Sequence, residues 1–272
     1  MSASGGWPQR VLLVGCGNMG GAMLAGWLRA GLAADRFTIV DPSLPEAPAG
    51  VRLLRALPEG ERFDAVLLGV KPQALDGVAP QLAPALDGAT VLLSILAGVE
   101  LASLAARFPG IGGYVRVMPN LAAAIGKSPM GLAASGLDAA ARDGVQSLLA
   151  PLGTPEWVGE ELFHAVTALA GSGPAFVYRF IDALAQGGVA VGLDPAQAQR
   201  LALATVEGAS ALAGASPFSP AELARRVASP GGTTQAGLDV MDAGSAMLQL
   251  GEATLRAARD RSVEMAEAAR AG

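Results

Sequence analysis

Short, unbroken apolar runs mark the first part of the chain: Arg10-Val11-Leu12-Leu13-Val14, Phe37-Thr38-Ile39-Val40, residues 64–70 and residues 89–95, with Tyr114-Val115-Arg116-Val117 as another of the kind. Runs a few residues long and apolar on both faces are what a parallel sheet buried between helices needs. Residues 18–29 instead repeat with helical spacing and are closed by Gly31. From residue 160 the strand signals fade and helical periodicity takes over, over 160–192, 195–212, 220–227 and 244–269. Gly171-Ser172-Gly173-Pro174 interrupts the first of these, and a proline behind so much glycine kinks a helix or breaks it in two.

The first strand runs into Gly15-Cys16-Gly17-Asn18-Met19-Gly20, a G-x-G-x-x-G turn in its required setting between strand and helix. Gly15 permits the tight turn, Gly17 lets the backbone approach a pyrophosphate, and Gly20 lets the helix pack closely on the strand. The second strand ends at Asp41, about 20 residues on, where a ribose-binding acid is expected. A carboxylate there accepts from a free 2′-hydroxyl and repels a 2′-phosphate, which favours NADH. A plain Asp-Pro turn is the alternative reading, and Pro42-Ser43 leaves room for NADPH, so both cofactors stay open. The pattern predicts an α/β chain: a Rossmann-type doubly wound, mostly parallel sheet over residues 1–158, then an all-α domain over 159–272.

Ligands of such sheets bind along the carboxyl ends of the strands. Those ends here are Val70-Lys71-Pro72-Gln73, Leu96-Ala97-Gly98 and Met118-Pro119-Asn120. Lys71 and Asn120 are their polar groups, and Lys71 is one of two lysines, with Lys127, so a solvated-surface role is less automatic for it than usual.

Composition narrows the function. The 272 residues carry a net charge of −5, only 16% are charged, and no basic run is present, which argues against nucleic acid or an anionic membrane as partner. The expected ligand is small. Aromatics are just 4% while Ala and Gly are abundant, a composition suited to closely packed helices. A single cysteine, Cys16, excludes an internal disulfide framework and a cysteine-based zinc site, and its place inside a glycine turn makes it inert. No cluster has metal-ligand spacing, so no metal is expected. The start of the chain lacks a secretory pattern, and the most apolar helical stretch is broken by His164, Arg179 and Asp182, which together point to a cytoplasmic protein.

Late in the chain, Ser229-Pro230-Gly231-Gly232-Thr233-Thr234 sets paired glycines and hydroxyls at a helix start. It reads as an anion cradle, with a simple connector as the alternative. His164, the sole histidine, lies on an amphipathic stretch and reads as structural. Without a Ser-His-Asp set or a tuned acid, hydride transfer assisted by hydroxyls and backbone amides remains. A ketone would need a proton donor for its developing alkoxide, whereas a protonated imine already carries the charge that draws a hydride. A cyclic imine bearing a carboxylate suits such a site.

The motifs Val14 to Gly20, Gly69-Val70-Lys71-Pro72-Gln73, Met118-Pro119-Asn120, Gly171-Ser172-Gly173-Pro174-Ala175 and Ser229 to Thr234, in this order along almost the whole chain, resemble the pyrroline-5-carboxylate reductase family. The resemblance implies reduction of 1-pyrroline-5-carboxylate to L-proline with NADPH or NADH, the last step of proline biosynthesis. It also implies a cofactor site of Gly15, Cys16, Gly17, Asn18, Met19, Gly20, Asp41, Gly69, Val70, Lys71, Pro72, Ile95, Leu96 and Ala97. Substrate binding falls to Asn120, Glu160, Ser229, Gly231, Gly232, Thr233 and Thr234, with Thr234 beside the ring nitrogen as the catalytic position; the run Glu160-Glu161 leaves the acidic position ambiguous by one. The family often has an acid where this chain has His164. Dimerisation through the helical domain is implied, with larger rings of dimers built from it and the substrate loop completed near a partner chain. Two rivals stand beside this: a related imine or β-hydroxyacid reductase, the latter needing a catalytic lysine that is absent after Lys127, and a non-enzymatic dinucleotide-binding regulator.

Overall fold

The computed structural model describes residues 7–271. The chain divides into two compact units, one running to Ser172 and joined by the segment from Ala258 onward, the other formed by Gly173–Ala257.

The first unit is built on an eight-stranded sheet in the order β3-β2-β1-β4-β5-β6-β7-β8. Its strands are β1 (Val11–Val14), β2 (Phe37–Val40), β3 (Arg52–Leu54), β4 (Ala65–Leu68), β5 (Val91–Ser94), β6 (Gly113–Met118), β7 (Ser128–Ser135) and β8 (Gly153–Trp157). All neighbours are parallel except β6 and β7, which pair antiparallel from Tyr114↔Ser135 to Met118↔Gly131. The apolar runs form the central strands as expected. β3, β7 and β8 were not legible in the pattern. β7, Ser-Pro-Met-Gly-Leu-Ala-Ala-Ser, has no β-branched residue, and β8 holds a proline; both are strands because they pair, not because of propensity.

Helices α1 (Asn18–Arg29), α2 (Leu75–Leu82), α3 (Leu101–Arg107), α4 (Ala139–Leu149) and α5 (Phe163–Val166) complete this unit up to Ser172. Alternate residues of each buried strand serve opposite faces. Val11 and Leu13 join Met23, Leu24 and Trp27 of α1 and Val145, Leu148 and Leu149 of α4. Leu12 and Val14 join Leu75 and Leu82 of α2, Leu104 of α3 and Phe163 of α5. Trp27 anchors the first layer, stacked on Phe37 with centroids 5.4 Å apart and donating from Nε1 to Leu148 O at 2.7 Å. A buried aromatic of this size is worth about 3–5 kcal/mol to a fold.

The expected helix over 160–192 is interrupted as its Gly-Ser-Gly-Pro run implied. α5 passes into a π-helical stretch, Thr167–Gly171, and α6 (Gly173–Ala190) starts afresh with Pro174 in its first turn. The second unit consists of α6, α7 (Pro195–Ala215), α8 (Pro220–Val227), α9 (Thr233–Asp242) and the beginning of α10 (Ala246–Ala271), whose last turns belong to the first unit. The structure thus has the α/β sheet followed by helices that the pattern predicted. No helix among the described residues is long and apolar enough to cross a membrane.

Candidate active site

Strand order reverses between β1 and β4, and the turns at their carboxyl ends meet there. Gly15 has φ +83, and a Cβ on it would lie 2.9 Å from Gly69 O and 3.0 Å from Val70 Cγ1; a Cβ on Gly69 would lie 2.7 Å from Gly15 O. Two side-chain-free residues are therefore required where the strand ends converge. At Gly17 the situation is the opposite: nothing lies within 4 Å of where a Cβ would stand. That open space faces the start of α1, which has no side-chain cap and no acidic residue in its first turn. Uncapped amides at a helix N-terminus, with room in front of them, make an anion site. A dinucleotide pyrophosphate fits this cradle in charge and in space.

Asp41, beyond the end of β2, ties this turn to its neighbour. Its Oδ2 accepts from Cys16 N at 2.9 Å, and its Oδ1 accepts from Ser43 N at 2.8 Å and Leu44 N at 3.0 Å. Arg55 Nη1 donates to the Asp41 carbonyl at 2.9 Å. Partial burial works against ionisation, but the three amides and the Arg55 charge outweigh it and hold the Asp41 carboxyl below the usual carboxylate range. Asp41 is thus a fixed anion with a guanidinium beside it, offering an acceptor to a ribose hydroxyl and a cation to a 2′-phosphate. Burial, with Asp41 adding to it, pushes the Cys16 thiol up to about 11, so it stays protonated and unreactive at neutral pH.

At the other strand ends, Lys71 and Ala97 are exposed, Gly69, Val70, Pro72 and Ile95 are half-buried, and the Leu96 side chain is buried in the core. Leu96 can therefore meet a ligand only through its main chain. Asn18, exposed, and Met19, half-buried, begin α1, with Gly20 buried against Gly15.

Asn120 and Glu160 are drawn into internal networks. Asn120 is 5% exposed; its Oδ1 accepts from Ala122 N at 2.9 Å, its Nδ2 donates to Ala170 O at 3.0 Å, and its main-chain N donates to Ser128 Oγ at 2.9 Å. It fastens the end of β6 to β7 and to the π-helical stretch. Glu160 Oε1 accepts from Leu101 N at 2.8 Å and from Arg116 Nη1 at 2.9 Å, while Oε2 takes part in neither bond. Arg116, buried on β6, lays its guanidinium over the Phe163 ring at 4.1 Å, and its Nε has no partner. The sequence reading missed Arg116. Its signal was a charge inside a strand otherwise apolar on both faces. His164 Nδ1 lies 2.9 Å from Ser262 Oγ on α10, within the same unit.

In the second unit, α8 leads to a tight turn. Gly232 N donates to Ser229 O at 2.9 Å and Gly231 has φ +71, a type II geometry that places Pro230 and Gly231 at the corner. A Cβ on Gly232 would lie 2.5 Å from Ser229 Oγ. Gly232 is the N-cap of α9, which again lacks a side-chain cap and an acidic first turn. Thr233 and Thr234 are exposed, and their hydroxyls make no hydrogen bond to the described residues. Amides and hydroxyls are thus left free together for a small anion. Among the described residues no group of His, Cys, Asp and Glu is placed to hold a metal ion.

A Rossmann sheet with an open pyrophosphate cradle, joined to a helical unit, defines the class: a dinucleotide-dependent oxidoreductase. Residues 10–98 match the family described as NADP oxidoreductase coenzyme F420-dependent, and residues 160–265 match pyrroline-5-carboxylate reductase dimerisation. The pyrroline-5-carboxylate reductase of Pseudomonas aeruginosa is 36% identical over 266 residues, covering 95% of this chain and 97% of its own. That of Aquifex aeolicus is 37% identical over 240 residues, covering 86% and 89%. Among solved structures, the pyrroline-5-carboxylate reductase of Coxiella burnetii superposes with a TM-score of 0.86 at 27% identity, covering 94% of this chain and 98% of that one. The chain belongs to the pyrroline-5-carboxylate reductase family.

Gly69→Ala is expected to push the Gly15 turn out of place and so to raise the dinucleotide dissociation constant by about tenfold, about 1.4 kcal/mol of binding. Calorimetric titration with NADPH checks it, and unchanged affinity would remove the Gly15–Gly69 approach from the site. The depressed Asp41 carboxyl stabilises the fold above the ordinary carboxylate pKa, and that contribution is lost as pH falls through its lowered value. Comparing urea unfolding of the wild type and Asp41→Asn between about pH 6 and pH 2 should therefore show the wild type's advantage shrinking towards acid.

Proposed function

We propose that the protein reduces 1-pyrroline-5-carboxylate to L-proline, the last step of proline biosynthesis, using NADPH or NADH. The observation that carries the reading is the helix start at Gly232, with neither a side-chain cap nor an acidic first turn and with two unengaged threonine hydroxyls, in a chain that also holds a dinucleotide cradle. The dinucleotide, when bound, supplies the hydride.

The substrate carboxylate is held by the main-chain amides at the start of α9, with the Gly231-Gly232 backbone in close approach and the Ser229 and Thr233 hydroxyls beside it. Thr234 accepts a hydrogen bond from the protonated ring nitrogen and so fixes which face of the C=N bond is presented. Hydride adds to the imine carbon, the C=N π electrons become the nitrogen lone pair, and the resulting amine takes its proton from water. A cationic imine needs no strong acid in the site, which suits a chain whose one histidine is bonded to Ser262. Asn120 and Glu160 serve the substrate through what they hold in place, the end of β6 and the start of α3.

We further infer a homodimer paired through the helical unit, from which a larger ring of dimers can be assembled. Residues 159–272 would then act as the dimerisation and substrate part and 1–158 as the dinucleotide part, a division supported by the dimerisation match beginning at 160. Large apolar side chains at Tyr178, Leu201, Leu212, Leu248 and Leu250 are exposed in the single chain, as a surface awaiting a second copy would be. A cytoplasmic location accords with the small, water-borne substrate.

Purified protein is expected to oxidise NADPH or NADH when given the imine, and a wild type without that turnover would sink the proposal. Thr234→Ala should lower kcat/KM for the imine by about 10–100-fold, the worth of one hydrogen bond to a charged group. Dinucleotide affinity should stay unchanged; equal losses in both would count against the role given to this hydroxyl.

A further inference from the structure

The loop from Ile95 to Glu100 leaves β5 at the edge where the dinucleotide is proposed to lie; Leu96 and Val99 sink their side chains into the core, and between them Ala97 and Gly98 have no large side chain to hold them. The structure grips it from outside. Gly98 has φ +76, and a Cβ on it would lie at van der Waals distance from α10, 3.5 Å from Ala266 Cα, 3.6 Å from Met265 O and 3.7 Å from Ala266 N, so the loop passes directly beside this helix. Ala266 is 1% exposed, while Met265 beside it is 49% exposed. Ser262 stands one helical turn earlier on the same face, and there it meets His164 Nδ1 at 2.9 Å. His164 lies in α5, just beyond Glu160, whose Oε1 takes Leu101 N at 2.8 Å where the loop enters α3.

We propose that the last turns of α10 are a brace for the dinucleotide loop, with Ala266, Ser262 and His164 as positioning residues for cofactor binding. The inference rests on the reading that Ile95, Leu96 and Ala97 contact the dinucleotide. The Ala97-Gly98 stretch loses conformational entropy when ordered, and one already held in its bound shape does not pay that cost on binding. Ala266 is 1% exposed beside Gly98, so a longer side chain there has to displace the packing around it. His164 acquires a role as well: it anchors the face of α10 that carries Ala266.

The test compares Ala266→Leu, Ala266→Ser, Ser262→Ala and Ala97→Leu, each as the full chain, by calorimetric titration with NADPH, hydrogen exchange over residues 95–101 and KM for the imine. Ala266→Leu is expected to raise the dinucleotide dissociation constant by about fivefold or more and to speed exchange in the loop, with the imine KM nearly unchanged. Ser262→Ala should move the same two readouts in the same direction by less, and Ala266→Ser should leave them near the wild type. Should Ala266→Leu fail to fold, Ser262→Ala decides. Unchanged dinucleotide affinity and exchange in these variants, with Ala97→Leu weakening affinity, overturn the brace alone. Unchanged affinity in Ala97→Leu overturns the reading of the loop and the brace with it.

Discussion

The approach of Gly15 to Gly69 is the constraint on which the dinucleotide half of the molecule depends. At 2.7–2.9 Å between a hypothetical Cβ and the opposing carbonyl, no side chain fits at either position. Closing β1 against β4 in this way sets the start of α1 over the switch point of the sheet, with Gly17 open in front of it. Asp41 then fixes the turn from the other side through the Cys16 amide. The anion site is thus a product of backbone packing, and the side chains around it serve mainly to hold that backbone still.

The helix starts differ in how their first amides are met; α2, α3 and α5 have no side-chain cap from their own N-cap residues, and Glu160 reaches Leu101 N at the start of α3. α4, α7 and α8 are capped by the side chains of Asp138, Asp194 and Ser219, each satisfying an amide of its own first turn. α1 and α9 begin after Gly17 and Gly232, which supply no such acceptor. With glycine at the N-cap the missing acceptor costs about a few tenths of a kcal/mol of helix stability. An anion bound at either start would make good that loss. In the proposed function one site takes a pyrophosphate and the other a carboxylate flanked by hydroxyls able to meet an imine nitrogen.

Much of this was legible in the chain itself. The central strands, the Gly15–Gly20 turn, the break near Gly173 and the 229–234 turn all follow from local rules of burial, turn geometry and proline. β7 and β8 did not follow, because their residues lack strand propensity and adopt that form only through pairing. Asn120 and Glu160 could be assigned to a substrate by resemblance, but not the way they are held; that depends on Arg116, Leu101 and Ala170, which are distant in sequence. His164 reads as structural in the sequence, while its partner, Ser262, lies 98 residues on and no local pattern points to it.

The most direct measurement of the central claim follows the hydride itself. Dinucleotide carrying deuterium at the transferred position, given with 1-pyrroline-5-carboxylate to the purified protein, should yield L-proline with one deuterium on the former imine carbon, as read by NMR or mass spectrometry. Proline without that label, or dinucleotide bound with no proline formed, would contradict the account.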